Sequence, residues 1–188
     1  VLSVSAQVPD SYDGTYGDLY YRITDEGEVA IVGCNSDVIS IEIPEEIDGK
    51  KVTCIGISAF FNCTNLTEIT IPDSVTSIGH DAFWDCTSLT EITIPDSVTS
   101  IGDYAFKGCS SLTEITIPDS VTSIGGSAFS DCSNLREITI PDSVTSIGSN
   151  PFAGTPWLRD RQKENALVVV NGILIDGRTC VGNIIIPD

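Results

Sequence analysis

Fourteen letters, LTEITIPDSVTSIG, fill residues 66–79 and return unchanged at 89–102 and 112–125, while LREITIPDSVTSIG at 135–148 differs only at Arg136. A fixed period of 23 residues is the signature of stacked supersecondary units, not of a core assembled from unlike parts. Pro72, Pro95, Pro118 and Pro141 set the frame, and each unit reads P-D-S-V-T-S-I-G-x-x-A-F-x-x-C-x-x-L-x-E-I-T-I. One column holds Phe60, Phe83, Phe106, Phe129 and Phe152; another holds Cys63, Cys86, Cys109 and Cys132. In the first, imperfect unit PEEIDGKKVTCIG replaces PDSVTSIG, an insertion with loop-like chemistry around Asp48-Gly49.

Within a unit, Leu66, Ile69 and Ile71 fit the L-x-x-L-x-L spacing of a leucine-rich repeat, with Ile standing for Leu. Alternation about Ile69 predicts a half-buried strand with Glu68 and Thr70 outward. Pro72 ends it, because proline donates no ladder hydrogen bond. Val75 and Ile78 form a second short apolar segment, Gly79 permits a bend, and DAFWDC is long enough for one helical turn. A single unit buries too little apolar surface to offset the ordering of its own backbone. Stacked units bury each other, so stability grows with repeat number and the ends need caps.

Both caps are readable. Residues 1–18 are a lead-in. VLSVSAQ looks like the end of an export signal, with Val4 and Ala6 at the small-residue positions before a cleavage point ahead of Gln7. Residues 19–43 predict a hairpin turning at Asp25-Glu26-Gly27 and then the first strand of the stack. The array proper spans 44–154. From 155 to 188 the chain reads as a helix with Thr155 as N-cap and Pro156 at its first position, then a hairpin at Asn171-Gly172. NIIIPD at 183–188 resembles EITIPD and reads as the opening of a further, truncated repeat.

The unit LTEITIPDSVTSIGDYAFKGCSS resembles the bacterial BspA-type leucine-rich repeat, and IPEEIDGKKVTCIGISAF and TPWLRDRQKENALVVVNGILIDG resemble the segments flanking such arrays. The likeness covers residues 19–188. It implies an α/β, β-rich, right-handed solenoid with short strands, short helical turns and a capping hairpin at each end. It also implies an exported or cell-surface bacterial protein. Some relatives act in adhesion to host proteins or other cells, and the family offers no active site to carry over.

Charge narrows the partners. The chain has 27 acidic and 9 basic residues, a formal net charge of −18, so nucleic acid and anionic membranes are repelled. No run approaches the ~18 apolar residues of a membrane span, so no insertion is expected. Basic proteins, cations and neutral glycans remain, although acidity of this kind also simply keeps an exported protein soluble.

Catalytic constellations are missing from the pattern. The one histidine, His80, occupies a variable column shared with Asp103, Gly126 and Ser149, and reads as an exposed loop residue; no base accompanies the serine columns. The seven cysteines lack C-x-x-C pairs, so a zinc site is not expected. The Cys column reads as an inward ladder of small apolar groups, and disulfides are open among Cys34, Cys54 and Cys180. The carboxylate columns, Glu68, Glu91, Glu114 and Glu137 with Asp73, Asp96, Asp119 and Asp142, repeat ~4.8 Å apart in a stack. That repulsion is tolerated through solvent and salt or offset by calcium or a basic partner, and equivalent carboxylates lack the asymmetry of an acid/base pair. The sequons at Asn62 and Asn65 are incidental in a bacterial chain, with Cys63 and Leu66 in core columns. Arg159, Arg161, Lys163 and Arg178 form a basic cluster, read as a solvated cap or as a contact with an acidic neighbour.

The expectation is a non-enzymatic extracellular module with no cofactor or metal. It would bind an extended protein or glycan on the strand face of Glu68, Thr70, Glu91, Thr93, Glu114, Thr116, Glu137 and Thr139, extended by the Ser and Thr columns around Val75. The alternative is a structural spacer that positions a catalytic or docking module elsewhere in a longer protein.

Overall fold

The computed structural model describes residues 9–165 and 167–176. The expected signal remnant, Arg178, Cys180 and the NIIIPD motif lie outside the described residues. The chain forms a β-solenoid of about five turns, with α1, Pro156–Glu164, the one helix among the described residues. An N-terminal sheet of β1 (Gly14–Tyr16), β2 (Leu19–Ile23) and β3 (Val29–Cys34) is antiparallel and covers the top of the stack. The predicted hairpin is β2–β3. β1 is an addition to it, so the covering sheet begins inside the stretch read as lead-in.

β4 (Ser40–Glu42) follows as the first strand of the repeating face. The inserted segment is a tight hairpin of β5 (Glu46–Ile47) and β6 (Lys50–Ile55), with the expected loop residues Asp48-Gly49 as its turn. Asp48 and Gly49 both adopt positive φ, 52° and 74°, the geometry of a primed two-residue turn. Further strands alternate between two edges of the coil. On one edge lie β7 (Glu68–Thr70), β10 (Glu114–Thr116) and β12 (Glu137–Thr139). On the other lie β8 (Ser77–Ile78), β9 (Ser100–Ile101), β11 (Ser123–Ile124) and β13 (Ser146–Ile147). The hairpin β14 (Val168–Val170) and β15 (Ile173–Asp176) follows the helix and turns at Asn171-Gly172, both at positive φ.

The second edge is a continuous parallel ladder, β3-β6-β8-β9-β11-β13. Its coils approach closely at the glycine column. A Cβ on Gly102 would stand 2.6 Å from the carbonyl carbon of Gly79, so these glycines are required by backbone contact and not by the bend expected at Gly79.

Between the edges runs the core. Phe60, Phe83, Phe106, Phe129 and Phe152 are fully buried, and the first four stack nearly parallel with centroids 5.1–5.2 Å apart. Cys63, Cys86, Cys109 and Cys132 point inward as expected. Cys86, Cys109 and Cys132 donate Sγ–H to the carbonyls of Phe60, Phe83 and Phe106 at 3.0, 3.1 and 3.0 Å. At the lower end Thr155 caps α1, its Oγ1 accepting from the Leu158 amide at 3.1 Å, and Trp157 packs on Phe152.

Candidate functional site

All eight residues of the expected strand face, Glu68, Thr70, Glu91, Thr93, Glu114, Thr116, Glu137 and Thr139, are exposed, while Ile69, Ile92, Ile115 and Ile138 between them are buried. Period-two alternation produces this: with Ile turned into the core, the flanking Glu and Thr have only the solvent side available. The face is not a uniform ladder, however. β4 pairs with β7 and β10 pairs with β12, but Glu91–Thr93 forms no strand and separates the two pairs.

This corrects the expectation of a strand in every copy. At the ends the coils are tied by Ile43 N–H to Thr70 O and Ile117 N–H to Thr139 O, both 3.0 Å. Among the described residues, none of Glu91, Ile92, Thr93 and Ile94 shares a backbone hydrogen bond with a neighbouring coil. Residues 66–79 and 89–102 are identical letter for letter, so local propensity is not the cause. The ladder on the opposite edge and the phenylalanine stack hold two sides of each coil, and the third side is left without a ladder here. Two clefts result. One, of about 350 Å³, is lined by Glu91, Thr93, Asp96, Glu114, Thr116 and Pro118; the other, of about 240 Å³, by Glu68, Thr70, Glu91 and Thr93.

Chemically, the clefts combine unpaired backbone donors and acceptors with rows of carboxylates. Such an edge accepts an extended chain by main-chain hydrogen bonding, and the carboxylates favour a basic one. The hydroxyls of the neighbouring Ser and Thr columns bond to other coils. Ser120 and Ser143 are half-buried and donate to the carbonyls of Val98 and Val121 at 2.6 and 2.9 Å. Thr76, Thr99 and Thr122 donate to the coil before. These hydroxyls hold coils together.

The variable columns build a second surface that consensus reading passed over. Trp84 stacks on Tyr104 at 5.6 Å, Phe61 meets Trp84 edge-on at 5.5 Å, and Lys107 Nζ sits 4.7 Å from the Trp84 centroid. Tyr104 is 40 % exposed and has φ +57°, a backbone state unusual for an aromatic residue. The only available signal was the departure of these positions from the repeat. His80 is exposed, as expected, and lies 3.6 Å from Asp103. Asp81 beside it is pushed above the usual carboxylate range, first by burial, and its Oδ1 is buried without a hydrogen-bond partner.

Below the head of the column the buried thiols are unsuited to chemistry at neutral pH. Burial raises Cys86 and Cys109 well above the ordinary range and pushes Cys132 up to about 12. In the basic cluster, Arg161 stacks on Trp157 at 4.0 Å and Lys163 pairs with Asp160 at 2.8 Å, so the helix itself uses both. No group of three or more His, Cys, Asp or Glu side chains suited to holding a metal ion occurs among the described residues.

A sequence profile described as the BspA type leucine rich repeat region matches residues 30–159 in six copies. The chain belongs to the BspA-type leucine-rich repeat family. Solved structures agree. The chain is similar to the T. pallidum leucine rich repeat protein TpLRR, at 34 % identity and TM-score 0.71 over 75 % of this chain and 66 % of that one. A leucine rich cell surface protein from Faecalibacterium prausnitzii A2-165 aligns at 34 % identity and TM-score 0.61, over 78 % of this chain and 47 % of that one. A leucine-rich repeat protein from Bacteroides ovatus aligns at 32 % identity and TM-score 0.59, over 76 % and 45 %. The chain therefore spans two thirds or less of these relatives. No curated protein sequence matches it. No helix among the described residues is long and apolar enough to cross a membrane.

Proposed function

We propose that this BspA-type repeat is a non-enzymatic protein-binding module working at the bacterial surface or in secreted form, and that it engages an extended, basic segment of an extracellular protein along the strand face. The observation that carries the reading is the opened ladder at Glu91–Ile94: unpaired backbone lies between rows of exposed Glu and Thr, in clefts on both sides of one coil. A partner strand there gains main-chain hydrogen bonds, and its Lys or Arg side chains meet Glu68, Glu91 and Glu114. The similarity to a protein described as a cell surface protein supports the location, and the net charge of −18 supports the sign of the partner.

The test is capture of a panel of extracellular proteins and neutral glycans by immobilised chain, followed by the double variant Glu91→Lys/Glu114→Lys. Binding to basic proteins should weaken at least tenfold in the variant and fall as salt rises. Retained capture would remove this face, and capture of glycans alone would replace the protein partner with a saccharide. Absence of capture by the unsubstituted chain would leave the array as a spacer.

A further inference from the structure

The cysteine column follows a rule with one exception. Each of Cys86, Cys109 and Cys132 finds the phenylalanine carbonyl of the coil above. Cys63 heads the column, and above it lies the capping sheet, where the repeat has no phenylalanine to offer. What stands there is Cys34, the last residue of β3, with its Sγ 2.9 Å from Cys63 Sγ. Both residues are buried, at 2 % and 0 % exposure. The separation is less than ~1 Å longer than the ~2.05 Å of a disulfide bond, so a small sulfur movement closes it.

We propose that Cys34 and Cys63 are a disulfide site that staples the N-terminal sheet to the first coil of the solenoid. This differs from the pairing open in the sequence, Cys34 with Cys54 or Cys180. β3 delivers Cys34 to the top of the Cys column, while Cys54 lies within β6, in register with Ala30 and Ser77. The oxidant is a disulfide of the glutathione type or of a thiol oxidoreductase. The first sulfur to ionise attacks that disulfide and expels one thiolate. The second cysteine then gives up its proton, attacks the protein sulfur of the mixed disulfide and expels the other thiolate. The two protons end on the two released thiols, so one external disulfide is reduced as two cysteines are oxidised. Because both sulfurs are buried, exchange takes place while the sheet is undocked, and docking then shields the bond from reductant.

The bond would close a loop between residues 29 positions apart that includes β4 and the β5–β6 hairpin. It acts at the end of the stack, where the first coil is covered by the N-terminal sheet in place of another repeat.

The experiment needs only the full chain. It is refolded in a buffer of reduced and oxidised glutathione, alkylated, digested and mapped by mass spectrometry. The expected result is a cross-linked peptide pair containing Cys34 and Cys63, absent after reduction and absent in Cys34→Ser, while Cys109→Ser keeps it. The oxidised chain should show an unfolding constant on the order of a hundredfold lower than the reduced chain. Free thiols at both positions, or a bond from Cys34 to Cys54 or Cys180, would overturn the proposal. The unsubstituted chain decides the matter even if a serine variant fails to fold, and refolding in vitro makes the result independent of where the protein works.

Discussion

The two edges of each coil make an instructive pair. The Ser-Ile edge runs unbroken from β6 to β13, whereas the Glu-Ile-Thr edge pairs only at its ends and opens at Glu91–Ile94. Carboxylate repulsion alone does not explain the gap, because Glu114 sits directly opposite Glu137 within a paired ladder, and two exposed charges at that spacing cost about 1 kcal/mol in water. Hydroxyls reinforce the Ser-Ile edge, where Thr76, Thr99 and Thr122 each reach back one coil. Among the described residues, the Glu-Ile-Thr edge has such reinforcement at Thr67 and Thr90. The lesson is that a solenoid can keep its core and one ladder intact while a third side opens.

The comparison is broken most severely by removing what both edges share. Phe106→Ala, in the middle of the ring stack, should cost about 3–5 kcal/mol in denaturant unfolding; a loss below ~1 kcal/mol would mean the rings do not hold the coils together. Next comes the pair Ile101→Ala and Ile92→Ala, the same truncation on the two edges of one coil. Ile101, on the intact ladder, should cost about 3 kcal/mol and Ile92 clearly less. Hydrogen exchange should agree, with the Gly102 amide, bonded to Ile78 O at 2.9 Å, protected and the amides of 91–94 exchanging fast. Equal costs and equal protection would erase the difference between the edges.

A smaller effect is expected from Glu91→Gln. It should stabilise by up to ~1 kcal/mol at low salt and by nothing measurable at high salt, with slower exchange at 92–94 if the ladder then closes. The smallest concerns Asp81. Its folded-state pKa is raised, mainly by burial, so the folded chain holds this proton more tightly than the unfolded one. The resulting penalty is present above the folded-state pKa and disappears as pH falls through it toward the unfolded value. Asp81→Asn should therefore raise the melting temperature slightly at neutral pH, with the advantage shrinking on acidification; after solvent screening the effect lies within ~0.5 kcal/mol. An advantage that grew in acid would reverse the sign of the argument.

Much of the fold was legible because the chain states it repeatedly. The alternation around Ile69, the inward Cys and Phe columns, the N-cap at Thr155 and the turns at Asp25-Glu26-Gly27 and Asn171-Gly172 follow from spacing and turn chemistry, and the structure has them. The Asp48-Gly49 turn is legible, but the strands of two and six residues around it carry too little periodic signal to show as a hairpin. The glycine column was read as bends because close approach between coils is not a local property. Of the candidate site, the outward Glu and Thr rows were visible. The open coil between them was not, nor the aromatic cluster at Phe61, Trp84 and Tyr104, whose members come from different coils.

The sequence by itself determined the unit: which side chains turn inward, and that every coil must be covered by the next or by a cap. Only the tertiary structure decided how like units differ from one another. Identical letters at 66–79 and 89–102 become a paired strand in one coil and an open edge in the next, and Cys63 meets a sulfur where its equivalents meet a carbonyl. The physical reason is the same in both cases. A repeat encodes the contacts it makes with an average neighbour, while the pairing between coils and the identity of the end cap belong to the stack as a whole.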